Sequence, residues 1–236
     1  MNMSNELVKF LNDSGIFIAE KRKKQNNNSF DNDIDNLIQI QKILLNYDKP
    51  YSLGIPNVIW KDIETFKVWN RRGRRLIKNY NFNELENVVR KAEIAIDTIY
   101  QSSYLNLIHR SMRNNEICVG KVSSNNIWKD GNINIFDLSK MAFNLIEHDC
   151  YKYLFKYRKR KNSLDCNKII NSFIKSHNLD NDSKIYIENL LSYPYDSMKI
   201  IQKKYLMQRL DKEEIFNSNQ SEYIDKYIYE AFKDID

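Results

Sequence analysis

Glycine and proline are scarce. Five glycines and three prolines punctuate 236 residues. That is too few for the many tight turns of a β-sandwich or barrel, and it points to a predominantly helical chain. The cysteines are odd in number and far apart: Cys118, Cys150 and Cys166 show no CxxC or Cys/His spacing. This excludes a disulfide framework and the usual zinc patterns, and reduced, part-buried thiols are expected. Long apolar runs are missing too. The opening MNMSNELVKFLNDSG carries acidic residues and no extended hydrophobic segment, so neither a signal peptide nor a transmembrane helix is expected, and synthesis in the cytoplasm follows.

What is present is ordinary for a globular protein long enough to bury a core: 42% hydrophobic and 29% charged residues. The net charge of +6 gathers in two clusters, RRGRR (Arg71, Arg72, Arg74, Arg75) and YRKRK (Arg158, Lys159, Arg160, Lys161). Solvated helix faces account for such an excess. A single-strand nucleic-acid platform would interleave aromatics with the cations, whereas the tyrosines here fall along helix faces.

Residues 1–28 read as a short N-terminal segment and linker, with an amphipathic start (Leu7, Val8, Phe10, Leu11, Ile16, Phe17, Ile18) and a polar KRKKQNNNSFDND stretch. A single domain is expected over 29–236. From Ile34, the positions Leu37, Ile40, Ile43 and Leu44 share one stripe. A break at DKPYSLGIP precedes a helix over NVIWKDIETFKVWNRR, with Ile59, Ile63, Phe66 and Val68 inward. The clearest helical pattern is FNELENVVRKAEIAIDTIYQSSYLNLIHRS, where Leu85, Val88, Val89, Ala92, Ala95, Ile96 and Ile99 recur at three- and four-residue steps, with Asn83 as its N-cap.

After Asn115 the period changes. EICVG and NNIW are short and apolar, Asp130-Gly131 is a hairpin signal, and NINIF alternates. Helices resume with IEHDCYKYLFKYRKR, CNKIINSFIKSHN, a long segment from Ser183 to Leu210 containing Pro194, and a last one near SEYIDKYIYEAFKD. The expected class is α+β and predominantly helical, with a small β-hairpin set near the middle.

Five colinear stretches resemble the CotS-type spore coat proteins of endospore-forming bacteria, which share the fold of aminoglycoside phosphotransferases. They are FDNDIDNLIQIQKILLNYDKPYSLGI, SSYLNLIHRSMRNNEICVG, NNIWKDGNINIFDLSKM, IEHDCYKYLFKYRKR and IINSFIKSHNLDNDSKIYIENLLSYPYDSMKIIQKKYL. The likeness implies a kinase-like large lobe over residues 29–236 without a complete N-terminal lobe. It also implies a catalytic loop of the form Cys-His-Gly-Asp-x-x-x-x-Asn, matched here by Cys118, Gly120 and Asn126, with Val119 replacing the histidine and Lys121 replacing the base aspartate. Asp137 matches the first acid of the family's Asp-Phe-Asp segment, Ser139 stands at the second, and Asp149 matches the acid of the following helix.

A carboxylate that orients the acceptor hydroxyl and takes its proton is what phosphoryl transfer asks of the base position. An ammonium has no lone pair for that task and repels Mg²⁺. Asn126 and Asp137 are oxygen ligands that suit a hard cation, but such residues are also common at turns, and these two count only as vestigial metal candidates. An ion pair between Lys121 and Asp137 is expected instead, with Asp149 bracing the hairpin. His109, His148 and His177 lie on separate segments with no nucleophile arranged beside them and are expected at the surface or at helix ends.

The resemblance thus implies a non-catalytic pseudokinase with no cofactor and no metal. It would be made in the mother cell and assembled into the spore coat through contacts with other coat proteins, with Tyr151–Lys161 and Tyr193–Arg209 as the contact regions. The alternatives are a small-molecule kinase completed by a separate N-terminal lobe and a basic helical nucleic-acid-binding protein.

Overall fold

The computed structural model describes residues 5–22, 32–48, 50–78, 83–158 and 165–213. The chain forms two compact units, residues 1–59 with 99–191, and residues 60–98 with 192–236. The class is α+β and mostly helical. No helix among the described residues is long and apolar enough to cross a membrane.

The first unit is built around two small sheets. β3 (Ile127–Asp130) and β4 (Asn132–Ile135) form the expected antiparallel hairpin, pairing Ile127 with Ile135 and Lys129 with Ile133 about Gly131, whose φ is +66°. Alternation sends Ile133 and Ile135 inward and leaves Asn132 exposed. β1 (Ile16–Ile18) runs parallel to β4 and completes the order β1-β4-β3. The apolar start of the chain is therefore a helix, α1 (Asn5–Asp13, burying Leu7 and Leu11), followed by a strand of the hairpin's own sheet. The domain boundary expected at residue 28 lies outside the described residues.

β2 (Ile117–Cys118) pairs antiparallel with β5 (Ala142–Phe143), and Asn57 bridges Phe143 on the other side. In chain order β2 and β5 enclose the β3–β4 hairpin. The connecting loops 119–126 and 136–141 therefore emerge together.

Helices cover these sheets. α2 (Asn32–Leu44) buries Ile34, Leu37, Ile38, Ile40 and Leu44 and lies against β2, β3 and α7 (Cys166–His177). α7 is capped by Asp165, whose carboxylate accepts from the Lys168 N–H, and ends at Asn178 in the left-handed region. α8 (Asn181–Ser192) has Asp180 accepting from the Ser183 N–H in the same way. α6 (Glu147–Arg158) buries Tyr151, Tyr153 and Tyr157. The tyrosine face expected to meet partners over Tyr151–Lys161 is thus core, because aromatic bulk on a central helix removes more apolar area from water inside than at the surface.

The expected long helix over residues 82–111 is two helices, α4 (Asn83–Gln101) and α5 (Tyr104–Arg113). At the break the Ser102 hydroxyl donates to the Ile99 carbonyl, a local bond that competes with helix continuation. All seven predicted inward residues of α4 are buried. Proline likewise splits the Ser183–Leu210 segment: α8 stops at Ser192, and α9 (Tyr195–Glu213) starts after Pro194, whose ring lacks the N–H and clashes with the preceding turn. The last helix expected near residues 221–234 lies outside the described residues.

The second unit packs α3 (Lys61–Ile77) along α9, with Val89 of α4 against Gly73. α3 begins at Lys61 rather than at Asn57, because Asn57 is engaged with β5. Ile63 and Phe66 point inward as expected, and Val68 is half-buried. Phe66 stacks on Tyr193 with ring centroids 4.1 Å apart, and Asn70 accepts a hydrogen bond from the Tyr193 hydroxyl. Tyr193, placed by the sequence in the contact region Tyr193–Arg209, is therefore buried as well.

Candidate functional site

The loops 119–126 and 136–141 are joined at four points. The first is glycine. Gly120 has φ +74°, and a Cβ built there would lie 2.1 Å from the Lys140 carbonyl oxygen. Only glycine allows the two loops to approach this closely.

The second is Asp149, in the first turn of α6. Its buried carboxylate accepts the Val119 N–H at 2.7 Å on Oδ2 and the Gly120 N–H at 2.9 Å on Oδ1. Gln41 of α2 donates to Oδ2 and to the Ile146 carbonyl, both at 3.2 Å. Burial pushes the Asp149 carboxyl above its ordinary range, and the two backbone N–H groups pull it back. This is the bracing role the sequence predicted. The role of Gln41 was not legible, because its partners lie more than a hundred residues away.

The third is Asn126. Its Nδ2 donates to the carbonyls of Lys121 and Asp137, both at 2.9 Å, and its Oδ1 accepts the Asp137 N–H at 2.8 Å. Both amide hydrogens and the amide oxygen are thereby engaged with backbone on the two loops.

The fourth is the predicted ion pair. Lys121 Nζ lies 2.5 Å from Asp137 Oδ2. The other carboxylate oxygen accepts the Ser139 N–H at 2.8 Å, and the lysine, then this N–H, holds the Asp137 carboxyl well below the usual carboxylate range. Val119 is a fully buried apolar side chain.

The chemistry of this constellation is restrictive. Every oxygen of Asn126 and Asp137 that would face a cation already accepts a hydrogen bond, and an ammonium sits on the carboxylate. No group of three His, Cys, Asp or Glu among the described residues has a geometry fit for a metal ion. The histidines are dispersed. His109 is exposed on α5. His148 is buried at the start of α6 against Tyr151, a helix-end position but not a surface one. His177 ends α7 against Phe173, and burial, then Lys42 and Arg110, lowers its pKa to about 4. Cys118 donates its thiol to the Leu145 carbonyl at 3.0 Å, Cys150 is buried, and all three cysteines are free. Of the RRGRR cluster, Arg72 bonds Gln202 and lies over the Tyr205 ring, Arg74 pairs with Glu93, and Arg75 donates to the Tyr205 hydroxyl.

One polar cluster escaped the sequence reading. Arg110 of α5 is held between two buried glutamates, Glu116 before β2 and Glu147 at the first position of α6, and also donates to Ser183 of α8. The available signals were a cation in the last turn of α5 and an acid in the first turn of α6, each favourable to its helix dipole. The pairing itself depends on the tertiary fold.

No protein-family model matches the chain, and no curated protein is significantly similar to it.

Proposed function

We propose that this chain is a non-catalytic, kinase-like protein of the CotS type and a structural component of the bacterial spore coat, acting through protein–protein contacts. The observation that carries the non-catalytic reading is the Lys121–Asp137 ion pair. It puts a cation at the position the family uses for its base and covers the carboxylate at the position the family uses for its metal. The enclosure of the β3–β4 hairpin by β2 and β5, which brings residues 119–126 beside residues 136–141, is the arrangement a kinase-like lobe needs for its two site loops. Assignment to the coat rests on the sequence resemblance. With Tyr151, Tyr153, Tyr157 and Tyr193 in the interior, the contact surface falls to exposed side chains of the same regions, such as Lys152, Lys199, Lys203 and Leu206.

The test is a thermal melt with and without Mg²⁺–ATP or Mg²⁺–GTP at millimolar concentration. The expected outcome is no change in Tm. A ligand present at a hundred times its Kd would stabilise the fold by about 2.7 kcal/mol, so a clear upward shift would overturn the non-catalytic reading. For the coat assignment, a fluorescently tagged chain in a sporulating host should collect around the forespore. Even distribution through the mother cell would count against it.

A further inference from the structure

The Arg110 cluster holds one more anionic group than cationic. Nε of Arg110 donates to Glu116 Oε1 at 2.8 Å, and Nη1 donates to Ser183 Oγ at 2.9 Å. Nη2 has two hydrogens but three carboxylate oxygens within reach: Glu147 Oε1 and Oε2 at 2.7 and 2.8 Å, and Glu116 Oε2 at 3.2 Å. Both glutamates are buried, Glu116 at 2% and Glu147 at 0% exposure. Two carboxylates on one guanidinium leave a net charge of −1 in a site shielded from water, where an unbalanced charge is expensive. The Ile146 N–H reaches the Glu116 Oε2 that Nη2 cannot also serve, so each carboxylate oxygen has a donor. The charge is still one too negative, and a single proton on the more weakly held Oε2 corrects it.

We propose that Glu116 carries a proton at neutral pH, placed on Oε2 and directed at the Glu147 carboxylate, so that Arg110, Glu116 and Glu147 form an electrically neutral unit. Oε2 keeps a lone pair for the Ile146 N–H, which it accepts at 3.3 Å. Burial, then the charge of Glu147, raises the Glu116 pKa in the same sense, while Arg110 opposes it. The other titratable groups around the cluster are Cys118 of β2 and Cys150 of α6, both thiols pushed far up by burial, Asp149 and Lys152 further along α6, and His177 and Lys42 beyond Arg110. Glu116 also accepts the Asn144 N–H on its main-chain carbonyl. The proton therefore sits at the junction that holds residues 144–147, two residues before the aspartate that clamps Val119 and Gly120. Loss of the proton in mild alkali would set two carboxylates against each other there and loosen the clamp.

The sign is fixed by the raised pKa. The contribution of Glu116 to stability is complete below the ordinary value of 4.5 and is lost as pH rises through the folded-state value. Glu116→Gln keeps a neutral donor in place and removes this loss. Its Tm should equal or exceed that of the wild type at pH 8, with the difference shrinking toward pH 5. In the wild type, the amide-exchange protection of Val119 and Gly120, corrected for intrinsic rates, should fall with rising pH and stay level in the variant. If Glu116→Gln does not fold, a carbon-detected NMR titration of the wild-type glutamate side chains decides the matter: one carboxyl should titrate well above 4.5. The proposal is overturned if every glutamate titrates at or below that value, or if Glu116→Gln is less stable than the wild type by the same margin from pH 5 to 9.

Discussion

Gly120 stands where no other residue fits. A left-handed φ costs an L-residue about 1–2 kcal/mol, and here the Cβ would also meet a backbone oxygen that cannot move aside without displacing the 136–141 loop. Gly120→Ala is expected to destabilise the fold by more than about 2 kcal/mol in a urea titration. Gly131, also at positive φ but with open space around it, should tolerate alanine with a smaller loss. The glycine could be picked out of the sequence by its place in a Cys-x-Gly pattern. The obstructing Lys140 carbonyl could not, since it is brought up by the pairing of β2 with β5. Similarly, the Lys121–Asp137 pair was expected only because the resemblance brings the two residues to one site, whereas the engagement of the whole Asn126 amide with backbone was not, because its partners are main-chain groups that any sequence supplies.

Among the elements, helix faces were the most legible and helix ends the least. The stripe of α4 emerged as predicted because a period of 3.6 is a local property of the chain. The breaks at Ser102 and Pro194 were also local signals, outweighed in the reading by continuous apolar periodicity on either side. Gly73 illustrates the opposite case. In sequence it is a weak spot inside the RRGRR run of α3. In the fold it is the notch that receives Val89, whose Cγ2 would lie 2.7 Å from an added Cβ. Alanine at 73 gains about 1 kcal/mol of helix propensity, but the contact meets a β-branched side chain with little rotational freedom. Overpacking of about 1–3 kcal/mol is expected to win. Gly73→Ala should therefore lower the midpoint of chemical denaturation, and Gly73→Ala combined with Val89→Ala should lie above Val89→Ala alone. A stabilised Gly73→Ala single variant would show that the notch closes without strain.

For the whole molecule, pH response is the sum of groups shifted in opposite directions. His177 Nε2 is buried with no hydrogen-bond partner among the described residues, so the charged ring is disfavoured. Its pKa falls from 6.5 to about 4, and the stability that follows from a neutral ring is present above pH 6.5 and lost as pH falls toward 4. Asp137, with a depressed pKa, adds a loss only below its ordinary 3.8. Glu116 and Asp149, both raised, act the other way and favour the fold as pH falls. His177→Gln should therefore flatten or reverse the decline in Tm between pH 6.5 and 4 while leaving the profile above pH 7 in place. An unchanged acid limb in that variant would mean that the His177 ring is already charged in the fold.

The sequence by itself determined that this protein is mostly helical and that a Gly-centred hairpin interrupts the helices. These follow from periodicity, turn chemistry and residue type, which act over a few neighbouring residues. Only the tertiary structure decided that residues 16–18 are a strand beside β4, that the tyrosines of α6 are core, and that Arg110 gathers Glu116 and Glu147. Each of these depends on burial and pairing between segments from about 6 to more than a hundred residues apart. Burial sets the effective dielectric and the solvation of a charged group, so the same glutamate is a solvated surface residue in one fold and a proton carrier in another.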